Sequence, residues 1–140
     1  MIPSVKISDI NKILNTLSSK VASEPFNEEI LNFLDELSQD IKRKKVSLKY
    51  PELISFSFFC RRANLDLLKK KFNSYNFRIG KGIVFHITPT NIPINFAYSL
   101  VFGLLAGNNN IVRVPSKNYD QVNIINNCLN KISKKKKFRK

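Results

Sequence analysis

GKGIVFHITPTNIPINFAYSLVFGLLAGNNNIVRVPSK, residues 80–117, is the stretch that decides the fold of this chain. It opens with a short apolar run at 82–88 that is rich in β-branched residues. Such a run predicts a parallel strand that is buried on both faces. Pro89 and Pro93 follow, and they exclude both helix and sheet pairing from the turn between them. The chain therefore has a strand and then a sharp turn at this point.

A helix and a second strand are predicted after the turn. Gly107 can end the helix as its C-terminal cap, and a second apolar run at 111–114 ends in Pro115. The apolar residues at helical spacing are Ile94, Ala97, Val101 and Leu104. The order of strand, helix and strand predicts a βαβ unit with a right-handed crossover. Because ligands of open α/β sheets lie at the carboxyl ends of the strands, we expect residues 88–91 and 113–117 to form one rim that carries the chemistry.

Three helices are predicted before this unit. Ser8 can begin the first, Asn27 can cap the second, and Pro51 suits the first turn of the third. The apolar stripe of the first is Ile10, Ile13, Leu14, Leu17 and Val21, and that of the second is Ile30, Leu34, Leu37 and Ile41. The third has Leu53, Phe56, Cys60, Ala63 and Leu67 on one side, with Phe58, Phe59 and Leu68 on others. We expect the third helix to be packed on both faces.

A last helix is predicted after the second strand. Asn118 and Gln121 suggest a capping box at its start, and a basic tail follows at 134–140. Its apolar stripe is Val122, Ile125, Leu129 and Ile132. We divide the chain into a helical segment at 1–78, a partial dinucleotide-binding βαβα unit at 79–133, and the tail. Two strands leave sheet edges and helix faces without partners, so the sequence indicates the first part of an α/β domain that either self-associates or needs a further segment.

Composition limits the function classes. The net charge is +14, from 24 Lys and Arg against 10 Asp and Glu, which fits either a polyanion partner or the coding bias that also enriches Asn and Ile. The amino terminus lacks the pattern of a signal peptide, and the longest apolar stretch, 92–106, is too short to span a membrane. We therefore expect a cytoplasmic protein. Two cysteines, Cys60 and Cys128, favour neither a disulfide scaffold nor a metal site.

The two motifs HITPTNIP, at 86–93, and LLAGNNNIVRVPS, at 104–116, carry a family resemblance. Together they resemble the start of the cofactor domain in the aldehyde dehydrogenase superfamily, and within it they are most similar to the LuxC-type acyl-CoA (long-chain fatty acyl) reductases. The resemblance implies an α/β fold in which helices precede the first βαβα of a Rossmann-type domain, here incomplete. It also implies reduction of a fatty acyl thioester to an aldehyde with NADPH, through a cysteine acyl-enzyme.

The resemblance implies roles for several rim residues. Asn91 takes the place of the asparagine that donates its amide to the oxyanion, although the residue type alone suggests a turn asparagine bonded to its own backbone. Thr88, Pro89 and Thr90 would contact the cofactor. The substrate would be a fatty acyl-CoA or an acyl-protein, and an acyl-protein synthetase or transferase is a possible partner.

The second strand carries the other implied cofactor contacts. Counted without a gap from Gly107, Arg113 takes the place of a lysine that reaches the adenine ribose, and Ser116 that of a ribose-binding glutamate; alignment on Pro-Ser shifts this by one residue. On the first count the lost carboxylate would let Arg113 and Lys117 pair with a 2′-phosphate, which favours NADPH. The alternative is an exposed charge at a strand end.

Other residues have simpler interpretations. The first two glycines of the stretch precede the strand, so the sequence contains neither a Rossmann glycine fingerprint nor a Walker A loop. His86 is expected to be a hydrogen-bonded strand residue. Cys60 and Cys128 match no nucleophile position and are expected to be buried, so the family's nucleophilic cysteine is expected downstream and this chain alone is expected to be inactive. The alternative function is a non-catalytic basic module that binds nucleic acid or another polyanion, although no specific nucleic-acid motif is present.

Overall fold

The computed structural model describes residues 11, 14–15, 21–72, 78–135 and 138. Helices α1 to α3 come first, and a βαβα unit follows. The elements in order are α1 (Glu28–Arg43), a 3₁₀ helix (Lys45–Lys49), α2 (Pro51–Cys60), α3 (Arg62–Phe72), β1 (Ile83–His86), α4 (Asn95–Leu105), β2 (Asn109–Val112) and α5 (Asp120–Ser133). This is a helix-rich α/β arrangement, as the sequence predicts.

The two strands form a parallel sheet, which confirms the predicted order of strand, helix and strand, but β2 covers Asn109–Val112 and so begins and ends two residues before the predicted run at 111–114. Their register runs from Ile83 opposite Asn109 to His86 opposite Val112. The pairing continues one residue further, because the Arg113 amide donates to the His86 carbonyl at 3.0 Å. The carboxyl ends of both strands therefore lie side by side.

Helix α1 forms as the sequence predicts, except that Leu31 is fully buried in place of Ile30, which is only partly buried. The Asn27 side chain accepts a hydrogen bond from the Glu29 amide at 2.8 Å. The first turn is acidic and the last turn is basic, which complements the helix dipole. The buried face of α1 comprises Leu31, Leu34, Leu37 and Ile41 together with Ser38 and Asp40. This face packs against α2 and α5, so α1 lies in the middle of the described core.

Helix α4 ends at Leu105, and Gly107 forms its C-terminal cap as predicted. Gly107 has φ +80°, its amide donates to the Leu104 carbonyl, and the Asn108 amide donates to the Gly103 carbonyl. These two bonds are the pattern of a Schellman cap. The preceding chain also passes close by, because the Ser23 amide donates to the Gly107 carbonyl at 2.9 Å. Only a glycine fits at this position.

The predicted third helix is wrong in its length. It breaks at Arg61, whose extended backbone (ψ 146°) separates α2 from α3. The Asp35 carboxylate accepts a hydrogen bond from the Arg62 amide at 2.8 Å, so α1 caps the start of α3. The break rotates the later stripe away from the core, and Ala63 and Leu67 are exposed. Phe58 is half-exposed, which also corrects the expectation of a helix packed on both faces.

The first strand is shorter and less buried than predicted. It covers Ile83–His86, and Phe85 and Ile87 are 56% and 70% exposed. Successive side chains alternate between the two faces of a strand, and the His86 side chain approaches Gly103 of α4. Phe85 therefore points to the face opposite α4, which remains exposed.

The predicted start of the last helix also needs correction. Helix α5 begins at Asp120, and its cap residue Tyr119 makes no side-chain cap bond. Asn118 instead accepts from the Asn123 side chain, and Gln121 donates to Glu52, so the capping box does not form. The predicted stripe of α5 is confirmed, since Val122, Ile125, Leu129 and Ile132 are buried.

The two ends of the chain are only partly described. Most of the helix predicted from Ser8 lies outside the described residues; Leu14 is helical, whereas Val21 is outside any helix and exposed. After α5, Phe138 packs edge-on against Phe33 of α1 with ring centroids 5.4 Å apart. None of the helices within the described ranges is long and apolar enough to cross a membrane.

Candidate functional site

The rim at the carboxyl ends of β1 and β2 brings the predicted site residues together. The turn after β1 contains Thr88 to Asn91, and the segment after β2 contains Arg113 to Lys117. Two hydrogen bonds join the segments: Arg113 bonds to the end of β1, and the Tyr119 hydroxyl donates to the Thr90 carbonyl at 3.3 Å. The rim is therefore a single surface with contributions from both strands.

Asn91 is exposed at the tip of the turn between the two prolines. Its side-chain amide has no hydrogen-bond partner among the described residues, and so it does not form the local turn bond that its residue type suggests. The following chain enters α4 directly, with the Asn95 amide donating to Ile92. The amide of Asn91 can therefore donate to a ligand at the rim.

Thr88 lies below this turn, and its hydroxyl oxygen is buried without a hydrogen-bond partner. A buried hydroxyl without a partner is costly, because it has lost water and gained no replacement. Pro89 and Thr90 are exposed beside it. The hydroxyl is a polar group that a bound ligand could satisfy.

Arg113, Ser116 and Lys117 are all exposed at the rim, around the buried Pro115. The Lys117 ammonium lies 5.3 Å from the centre of the Tyr119 ring, and this contact holds it near the start of α5. Two exposed cations therefore belong to the same rim as the exposed amide of Asn91. Such a combination suits a ligand with phosphate groups.

His86 and Asn110 support the sheet below the rim. The His86 Nε2 and Asn110 Oδ1 atoms are 2.8 Å apart, and the Asn110 amide nitrogen donates to the Asn108 carbonyl at 2.7 Å. Since Oδ1 accepts, Nε2 of His86 carries the proton. This confirms the interpretation of His86 as a hydrogen-bonded strand residue. Asn110 was not predicted from the sequence. Gly103 leaves room for it, because a Cβ there would lie 1.9 Å from Asn110 Oδ1.

Tyr119 is the second residue that the sequence analysis missed. Its hydroxyl and its ring contact residues from both halves of the rim, Thr90 and Lys117. The only sequence signal was an aromatic residue in the first turn of the predicted helix. Its partners are distant in sequence, so the pattern does not reveal them.

Both cysteines are buried, as predicted, and lie in the helices rather than at the rim. Burial raises the pKa of the Cys60 thiol far above its ordinary value. Burial, with a hydrogen bond to Asp40, raises the pKa of Cys128 to about 12. Because the thiolate is the nucleophile, neither side chain is activated for attack. Within the described ranges no cluster of His, Cys, Asp and Glu could hold a metal ion.

The structure is thus a helix-rich α/β unit whose strand ends carry an exposed amide and two exposed cations. A family model described as Acyl-CoA reductase (LuxC) matches residues 15–139. The chain therefore belongs to the LuxC acyl-CoA reductase family. Reductases of this family use a nicotinamide cofactor and are oxidoreductases. No curated protein and no solved structure matches the chain significantly.

Proposed function

We propose that this chain supplies the oxyanion donor and part of the cofactor site of an NADPH-dependent acyl-CoA reductase. The reaction converts a fatty acyl thioester into an aldehyde through an acyl group held on a cysteine. The observation that carries the proposal is the amide of Asn91, exposed and without a partner at the rim of a chain that belongs to this family. The matched residues 15–139 include the whole rim.

Asn91 would act on the charge that develops during attack on the thioester. When a thiolate adds to the carbonyl carbon, the carbonyl oxygen becomes negative. A neutral amide already aimed at that position stabilises the oxyanion without needing to reorganise. Since Cys60 and Cys128 are buried as thiols, the proposal assigns the nucleophile to neither of them, and this chain alone would be inactive.

The rim fits a phosphorylated dinucleotide. Arg113 and Lys117 provide exposed cations, Thr88 has a buried hydroxyl without a partner, and Ser116 adds no negative charge. The two cations would pair with the 2′-phosphate that distinguishes NADPH from NADH. Pro89 and Thr90 would line the same surface. When bound, the nicotinamide supplies the hydride that reduces the acyl group.

Substrate, partner and location follow from the same proposal. The acyl donor would be a fatty acyl-CoA or an acyl-protein, with an acyl-protein synthetase or transferase as the supplier. We place the protein in the cytoplasm, because both described cysteines are free thiols, which suits a reducing compartment.

The test uses a reductase that contains both this chain and a segment carrying the family's nucleophilic cysteine. Asn91→Ala should lower the rate of acyl-CoA reduction by roughly 100-fold to 1,000-fold, the usual effect of losing one oxyanion donor. The affinity for NADPH should change little. Asn127→Ala is the matched control, because Asn127 is an exposed asparagine on α5, remote from the rim in sequence. An unchanged rate in Asn91→Ala would remove the proposed role.

Cofactor choice is tested separately by Arg113→Ala and Lys117→Ala. Losing one charged contact to the 2′-phosphate should raise KM for NADPH by about 10-fold or more, with little change for NADH. Lys70→Ala, on the exposed side of α3, is the matched control for loss of positive charge. An equal rise in KM for NADPH and for NADH would show that the cations do not bind the 2′-phosphate.

A further inference from the structure

A basic surface lies at the end of the hairpin formed by α1 and α2, and it plays no part in the proposed reaction. We call this surface the hairpin end: residues 42–49 with Phe58 and Arg61. Residues 41–51, IKRKKVSLKYP, contain no acidic residue. The basic side chains of the surface are Lys42, Arg43, Lys44, Lys45, Lys49 and Arg61.

Two exposed aliphatic side chains lie among these basic residues. In the 3₁₀ helix Lys45–Lys49, Ser47 is fully buried while its neighbours Val46 and Leu48 are 41% and 70% exposed. The buried serine fixes the orientation of the helix, so both aliphatic side chains face outwards. The hairpin end thus places apolar groups in solvent between lysines.

An aromatic ring extends the same surface. Phe58 is 50% exposed, and the Lys42 ammonium lies 4.2 Å from its ring centre. The Arg61 guanidinium lies 5.7 Å from the same centre. Lys42 belongs to the last turn of α1, directly before the 3₁₀ helix, so the ring lies beside the hairpin end. The attraction between these cations and the ring holds both charges beside Phe58.

We propose that the hairpin end is a docking surface for a bilayer that contains anionic phospholipids. Clusters of four to eight Lys and Arg are attracted to the negative surface of such a membrane. Leu48, Val46 and Phe58 then enter the boundary between headgroups and acyl chains, as the apolar side chains of interfacial proteins do. The net charge of +14 adds long-range attraction. In this arrangement the hairpin end lies at the surface of the membrane.

Two features favour a lipid surface over a nucleic acid. Proteins that bind single strands stack bases on open aromatic faces, whereas one face of Phe58 is already covered by Lys42. Leu48 and Val46 have no role in neutralising phosphates, yet they are 70% and 41% exposed at this surface. A bilayer uses both the cations and the aliphatic groups.

The test measures co-sedimentation of the 140-residue chain with vesicles. Vesicles of phosphatidylglycerol mixed with phosphatidylcholine should bind it, vesicles of phosphatidylcholine alone should not, and added salt should weaken binding. Leu48→Ser should lower the partition coefficient about 10-fold and Lys45→Glu about 5-fold or more. Ile87→Ser is the matched control, because Ile87 is also 70% exposed but lies after β1. Lys71→Glu, on α3, is the matched charge control.

The outcomes separate the alternatives. Loss of binding in both hairpin variants, with both controls unchanged, supports the proposal. Equal loss in Lys45→Glu and Lys71→Glu, with no effect of Leu48→Ser, would show diffuse charge attraction and overturn it. So would tight binding of an oligonucleotide near physiological salt by a chain that ignores the vesicles. All substitutions are at exposed positions, and circular dichroism checks that each variant is folded.

Discussion

The Tyr119 hydroxyl donates to the Thr90 carbonyl at 3.3 Å, which joins the segment after β2 to the turn after β1. The same ring lies 5.3 Å from the Lys117 ammonium. One residue therefore touches both halves of the rim, although Thr90 and Tyr119 are separated by the whole of α4 and β2.

Tyr119→Phe should loosen the turn without unfolding the protein. The substitution removes the hydroxyl and keeps the ring beside Lys117, so the free energy of unfolding should fall by no more than about 1 kcal/mol. Hydrogen exchange should become faster at the amides of residues 90–92 and stay the same in β1. Tyr50→Phe is the control, because the Tyr50 hydroxyl donates instead to Asp120 at 2.6 Å. Identical exchange profiles for both variants would mean that Tyr119 does not hold the turn.

Gly107→Ala should be far more destabilising than Gly82→Ala. Both glycines have positive φ, +80° and +106°, so either alanine brings strain of about 1–3 kcal/mol. At Gly107 the new Cβ would also lie 2.1 Å from the Ser23 carbonyl oxygen, whereas at Gly82 it would meet nothing within 4 Å. Urea unfolding of the two variants measures the difference. Equal losses would show that the chain at Ser23 moves aside without cost.

The cysteines should be inert in the folded protein and should affect stability in alkali. Burial raises the pKa of both thiols, that of Cys128 to about 12, so the folded state keeps protons that the unfolded state releases above about pH 8.5. The free energy of unfolding is therefore highest below that pH. It falls as the pH rises towards the folded pKa, by at most about 1.4 kcal/mol per pH unit for each thiol. Cys128→Ala should flatten this slope. Rapid labelling of the native protein by a thiol reagent would contradict the burial.

Asp40 should contribute to acid unfolding. Burial alone would raise the pKa of its carboxyl, but hydrogen bonds from Lys131 and Cys128 outweigh burial and hold the pKa below its ordinary value. Its contribution is therefore present above about pH 4 and is lost as the pH falls through the folded pKa. Asp40→Asn should be less stable than the parent near neutral pH, and this difference should shrink in acid. A constant difference at all pH values would mean that the carboxylate charge has no role.

Much of the fold follows from local patterns in the sequence. The prolines at 89 and 93, the helical spacing from Ile94 and the cap at Gly107 define the βαβ unit, because each acts through backbone geometry within a few residues. The cap at Asn27 and the buried stripe of α5 are local in the same sense. The burial of Cys60 and Cys128 was predictable for the same reason: each occupies an apolar position on a helix.

Other features depend on contacts between distant segments. The break at Arg61 is stabilised by Asp35 of α1, and the exposed face at Phe85 depends on which elements cover the sheet. Likewise, Asn118 and Gln121 find partners that compete with the capping box. The sequence by itself determined the order of elements in the βαβα unit and the residues at its rim, since these arise from local backbone preferences. Only the tertiary structure decided that Tyr119 joins the two halves of the rim and that Asn91 keeps its amide unpaired, because those outcomes depend on which side chains the packed helices bring within hydrogen-bond distance.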